Sequence, residues 1–145
     1  MIFAGFLSGL IAGLSMGLMS HAGYREGFLK SSLFIIDGSF ALKVLGLPYD
    51  ERRAVLFGVP VHLATSVSFG IAYAVLTQVL NVVPTNISSV AVYIFVLWLS
   101  MLFIALPIAG HGLVGRRLSA FTWFEQFLLH VIFGLSFLGI LYIFE

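Results

Sequence analysis

Apolar residues fall into four long, nearly unbroken stretches rather than into the alternating or 3.6-residue patterns of a half-buried soluble fold. A hydrocarbon core about 30 Å thick needs roughly 20 helical residues to cross it. The stretches 2–20, 54–80, 90–109 and 119–144 meet that length. None alternates as a barrel strand does, so helices must satisfy the backbone in lipid. Local signals mark the ends. Asp50, after Pro48, is placed to cap the second span, and Asn86 or Ser88 the third. Thr122 and Glu125 have the spacing of a capping box near the start of the fourth. Asn86-Ile87-Ser88 also spells a glycosylation sequon, but capping is the favoured reading. The segment 28–47 is apolar but interrupted by Lys30, Asp37 and Lys43. It predicts a helix or helix pair in the cytoplasmic interface, broken near Asp37-Gly38, with a re-entrant segment as the alternative. Asp37 is expected at that interface, paired with Lys30 or Lys43. The predicted fold is all-α: a single integral membrane domain over 1–145, built as a four-transmembrane-helix bundle of two tandem hairpins with an interfacial segment.

Small residues recur within the spans at helical spacing. Gly5, Gly9, Gly13 and Gly17 line one face of the first. Close helix–helix approach is the favoured explanation; a flat surface for a planar cofactor or lipid is the other. In the second span His62, Ser66, Gly70 and Ala74 are spaced by four, and in the fourth Gln126, His130 and Gly134 are. Polar groups at membrane depth are costly without a partner, so His62 and His130 should point inward.

Composition agrees with the hydropathy pattern. The chain of 145 residues is 61% hydrophobic and 9% charged, against roughly 25% charged in a soluble domain. There is no cysteine, which removes disulfides, iron–sulfur clusters and thiolate chemistry. A net charge of +1 and the lack of a long basic run give no footprint for nucleic acid. Met1 to Ala4 carry no Lys or Arg, so the first stretch is expected to be a retained span rather than a signal peptide. Arg25, Lys30, Lys43, Arg52 and Arg53 lie between spans one and two, and Arg116 and Arg117 between spans three and four. Residues 81–89 carry no charged side chain. The positive-inside rule then places both basic connections in the cytoplasm and both termini on the opposite side, as expected in a prokaryotic inner membrane.

The remaining chemistry rests on four histidines. His62 and His130 sit in the two spans that run outward, at heights about one helical turn apart, while His21 and His111 end the two inward spans. All four are thus expected in the cytoplasmic half of the bundle. In one reading His62 and His130 are axial ligands of a b-type haem between spans two and four, with His21 and His111 as secondary candidates. In another, the histidines and Glu125 hold a non-haem metal, or pass protons. In the third they are structural, donating to carbonyls freed by Pro60 and Pro107. No nucleophile–base pair, phosphate loop or carboxylate pair points to an enzyme.

The stretches Val61-His62-Leu63, Phe69-Gly70-Ile71-Ala72-Tyr73-Ala74 and Leu129-His130-Val131-Ile132-Phe133-Gly134, the last leading to Tyr142, resemble those of a group of uncharacterised prokaryotic four-span inner-membrane proteins. That resemblance implies the architecture and no activity. The histidine layout is also similar to that of haem-bearing membrane anchors of respiratory enzymes, although those often hold haems at two depths and the outer half of this chain has no histidine. The function expected is a small membrane subunit in contact with lipid and with other subunits or copies of itself, related to electron transfer if it carries the haem. A small-solute transporter or channel, or a cofactor-free structural subunit, is the alternative.

Overall fold

The computed structural model describes residues 1–144, which form helices and connections and no strand. The helices are α1 (Ile2–Arg25), α2 (Leu33–Val44), α3 (Glu51–Val79), α4 (Ile87–Ser100), the single turn α5 (Leu106–Ile108) and α6 (Thr122–Ile143). Four runs are long and apolar enough to cross a bilayer: α1, α3, α6 and the continuous stretch Ile87–Ile108. The protein is membrane-embedded, and all-helical as its pattern predicts.

The ends of the helices follow local chemistry. Asp50 accepts a hydrogen bond from the Arg53 amide at 3.0 Å, which starts α3 at Glu51 rather than at 54. Asn86 does the same for the Ser89 amide, also at 3.0 Å, and starts α4 at Ile87 rather than at 90. α1 runs on to Arg25, past the expected end at 20. The fourth span begins at Thr122 instead of 119, because Ser119 accepts from the Phe121 amide and holds the preceding residues in a turn. The capping box expected at Thr122 and Glu125 does not form. Phe121 takes the cap position without a side-chain bond, and Thr122 Oγ1 is enclosed with no partner among the described residues.

α1 is the central element, packed on α3 along one face and on α6 along another. α4 packs on α6, and α2 packs almost wholly on α3. Neighbouring long helices run antiparallel. Phe3 meets Phe144 at one end of the α1–α6 pair, and Trp98 meets Phe127 near the other end of the α4–α6 pair. The end where α1 finishes and α3 and α6 begin therefore carries the chain's seven Lys and Arg residues.

The α1–α3 seam is made of backbone. A Cβ on Gly5 would fall against the Gly70 carbonyl, one on Gly9 against the Ser66 carbonyl, and one on Gly13 against the Ser66 side chain. Only hydrogen atoms fit there, which is why the glycine stripe of α1 faces the small-residue stripe of α3. Toward the opposite end the bundle is closed by rings. Tyr73 packs on Tyr93 and Phe137 with centroids 5.0 and 5.3 Å away, and the Tyr93 hydroxyl donates to the Phe69 carbonyl at 2.8 Å.

Between α4 and α5 the chain makes one π turn, Met101–Ala105. The Leu106 amide donates to the Met101 carbonyl, five residues back instead of four. Pro107 has no amide to donate and its ring crowds the carbonyl of Phe103, so the wider turn relieves the helix just ahead of it. Pro60 lies on the exposed face of α3, which continues through it.

Candidate functional site

The site begins with a second close seam. α2 is continuous across Asp37-Gly38, without the expected break, and it is not a pair of surface helices. A Cβ on Gly38 would strike the Ala54 carbonyl, and one on Gly58 would strike the Phe34 carbonyl. The two glycines let the backbones of α2 and α3 touch. On α2, Phe34, Asp37 and Gly38 share a face at spacings of three and four; on α3, Ala54, Gly58 and His62 share one at spacings of four. Contact between those faces delivers Asp37 to His62.

Asp37 therefore does not pair with Lys30 or Lys43 at an interface. Its Oδ2 lies 2.8 Å from His62 Nδ1, while His62 Nε2 lies 3.1 Å from the Gly13 carbonyl oxygen on α1. A carbonyl only accepts, so Nε2 carries a hydrogen and donates it to Gly13. Nδ1 then either carries a second hydrogen beside a carboxylate, or accepts from a protonated Asp37. Both descriptions hold one proton between Nδ1 and Oδ2 and leave the pair without net charge. The carbonyl that His62 engages belongs to α1 and was not freed by Pro60. The His62 side chain is 8% exposed and that of Asp37 24%. His62 is eleven residues into α3, about 16 Å from its charged start at the usual rise.

Beside the pair lies a cavity of about 120 Å³. Asp37, His62, Ser66, Ser100 and His130 are among the residues that line it, and the π turn faces it through Met101 and Ala105. Such a volume holds several waters. His130 donates from Nδ1 to the Gln126 carbonyl at 2.8 Å, one turn back in its own helix. Its Nε2 has no hydrogen-bond partner among the described residues.

The other expected residues lie elsewhere. His21 Nδ1 is 3.0 Å from Ser32 Oγ, and its ring lies tilted against Phe34, which in turn packs edge-on against His62 at 5.5 Å. Gly17 faces Phe34 and the His62 ring, so the last glycine of the stripe belongs to the site. Gly70 and Ala74 stay in the α1–α3 seam, and Gly134 faces Ile94 of α4. His111 lies in the connection after α5, away from the cavity. Its Nε2 is enclosed without a partner among the described residues, and burial lowers its pKa from the usual 6.5. Glu125, expected to cap α6, crosses to α2's approach, where both carboxylate oxygens accept from the Lys30 amide at 3.1 and 3.3 Å. With Ser20 accepting from the Leu33 amide at 2.9 Å, this ties the entry of α2 to both α1 and α6.

As arranged, these residues do not fit a bis-histidine haem. Both His62 nitrogens are committed, the glycine face is filled by α3, and the space between His62 and His130 is far smaller than a porphyrin. Among the described residues no three His, Cys, Asp or Glu side chains converge on a point that could hold a metal ion. Asp37 is the residue of this cluster that sequence reasoning placed wrongly. The signal for it is a lone carboxylate amid the apolar helical run 33–42, next to a glycine: such a group needs a partner, and its glycine marks the face where the partner approaches. Comparison with known protein families, characterised proteins and solved structures finds no match.

Proposed function

We propose that this chain is a small membrane subunit that handles protons: Asp37 and His62 store one proton at membrane depth and exchange it through the cavity beside them. The observation that carries this reading is the engagement of both His62 nitrogens, Nε2 with the Gly13 carbonyl and Nδ1 with Asp37. The pair is neutral with one proton between its members. Adding or removing a proton leaves an uncompensated charge in a low-dielectric site, so the two steps must be closely coupled to a neighbouring acceptor or donor. His130, whose Nδ1 is held by Gln126, lines the same cavity and supplies a group of that kind.

In this reading α1 with α3 and α4 with α6 are two tandem hairpins. The basic end faces the cytoplasm, and both termini lie on the other side. α2 then lies parallel to α1 against the cytoplasmic third of α3, as a short re-entrant helix more than an interfacial one. Its five buried residues, Leu33, Phe34, Ile36, Gly38 and Leu42, favour that placement. The aromatic layer of Tyr73, Tyr93 and Phe137 closes the path outward.

Vesicles that enclose a pH-sensitive dye and carry a potassium diffusion potential test the proposal. Proton entry above that of empty vesicles is expected in the wild type, reduced at least about tenfold, the scale on which a lost relay group is felt, in Asp37→Asn and in His62→Gln. No entry above empty vesicles, or equal entry in all three proteins, overturns it. A second reading, proton-coupled movement of a small polar solute, draws on the Ser66 and Ser100 hydroxyls lining the cavity. It requires the flux to depend on an added solute.

A further inference from the structure

α4 and α6 do not close against each other as α1 and α3 do. Between them lies a groove of about 300 Å³ on the outer surface of the bundle, walled by Phe95, Trp98, Phe127, Val131 and Gly134. Its lining is apolar with one polar group to spare. Trp98 Nε1 already donates to the Trp123 carbonyl at 3.1 Å. His130 lines both this groove and the inner cavity.

The tautomer of His130 follows from its one bond. Nδ1 donates to the Gln126 carbonyl, so in the neutral ring Nε2 carries a lone pair and can only accept. The side chain is 8% exposed, and Nε2 is not among the polar atoms sealed off from open space. His130 borders two open spaces, the groove and the cavity. A lipid chain in the groove offers no donor, and an unmet acceptor at this depth is costly. Phe95, Trp98 and Phe127 pack on one another at 5.5 and 5.4 Å and together give the groove an aromatic wall, against which a ligand ring gains contacts an acyl chain does not.

We propose that the α4–α6 groove binds a lipid-soluble molecule with a hydroxylated ring, of the phenol or quinol class, whose hydroxyl donates to His130 Nε2 while its ring lies against Trp98 and Phe127. This site does not depend on the proton-handling reading of Asp37 and His62. Its selectivity follows from the acceptor: a hydroxyl is recognised, and the same molecule without the hydrogen is not.

The test uses the full chain in lipid nanodiscs, with Trp123→Phe so that Trp98 alone reports by fluorescence. The probes are a long-chain alkylphenol and its methyl ether, which match in shape and apolarity. The phenol is expected to bind about tenfold more tightly than the ether, the value of one hydrogen bond to a buried acceptor. In His130→Phe the two probes should bind alike. Equal affinity of phenol and ether for the unaltered His130 overturns the proposal without reliance on any variant, since it means that the groove takes bulk lipid or that water from the cavity already satisfies Nε2. A preference for the phenol that survives in His130→Phe overturns it as well.

Discussion

The α1–α3 and α4–α6 seams are built in opposite ways. In the α1–α3 seam glycines meet glycine, serine and alanine, and backbone lies on backbone. In the α4–α6 seam Ile94, Trp98 and Phe127 hold the helices apart, and a groove remains. The first seam places the Gly13 carbonyl within 3.1 Å of a histidine nitrogen on the facing helix, a position no helix carrying side chains along that face could reach. The second leaves room for something that is not protein. Small residues therefore do more than tighten the bundle: they expose main-chain carbonyls as ligands. Large residues create the opposite resource, an apolar space with one polar atom at its wall.

The contrast can be broken from the polar side first. His62→Ala leaves Asp37 without its partner and Gly13 without its donor, and a loss of about 3 kcal/mol in bilayer unfolding is expected; the double change Asp37→Leu with His62→Leu should recover most of it. Failure of the double variant to recover would mean that the pair is needed for folding and is not a cost accepted for function. Next comes Gly9→Ala, where the new methyl meets the Ser66 carbonyl and the Val67 backbone, with an expected cost of about 1–3 kcal/mol. Gly134→Ala should cost less than about 1 kcal/mol, because a methyl there meets no backbone, only the side chain of Ile94 with its Cγ1 at 3.2 Å. Gly139→Ala meets nothing within 4 Å and should be neutral or stabilising by up to about 1 kcal/mol. If all three glycine variants behaved alike, the distinction between the seams would fail. The smallest effect is outside the spans. The folded-state pKa of His111 is lowered, so below 6.5 the unfolded chain takes up a proton that the folded chain does not. Stability should fall as pH drops through and below 6.5, and His111→Gln should flatten that part of the profile.

What could be read from the sequence was whatever one helix decides by itself. Span existence, the Asp50 and Asn86 caps and the glycine stripe follow from spacing along a single segment. What could not be read was anything that needed two segments at once. Glu125 has the right spacing for a capping box, yet Lys30, ninety-five residues away in sequence, offers an amide with no other partner, and the carboxylate goes there. Asp37 was given to the nearest lysines because the register of α2 against α3 is set by Gly38 and Gly58 together, and neither glycine is informative without the other. The partners of His62 were hidden for the same reason: that Gly13 would present a carbonyl to it depends on how deeply α1 sinks into α3.

The π turn at Met101–Ala105 amounts to an α-helix with one residue too many. Deleting a single residue there would restore ordinary winding, and everything on the far side would turn by about 100° relative to the bundle. Leu106, now fully enclosed, would swing toward the outside, and Met101 and Ala105 could not both keep their places on the cavity wall. The helix thus carries a one-residue insertion that sets its phase, so that two halves of one span can each show the bundle the face it needs.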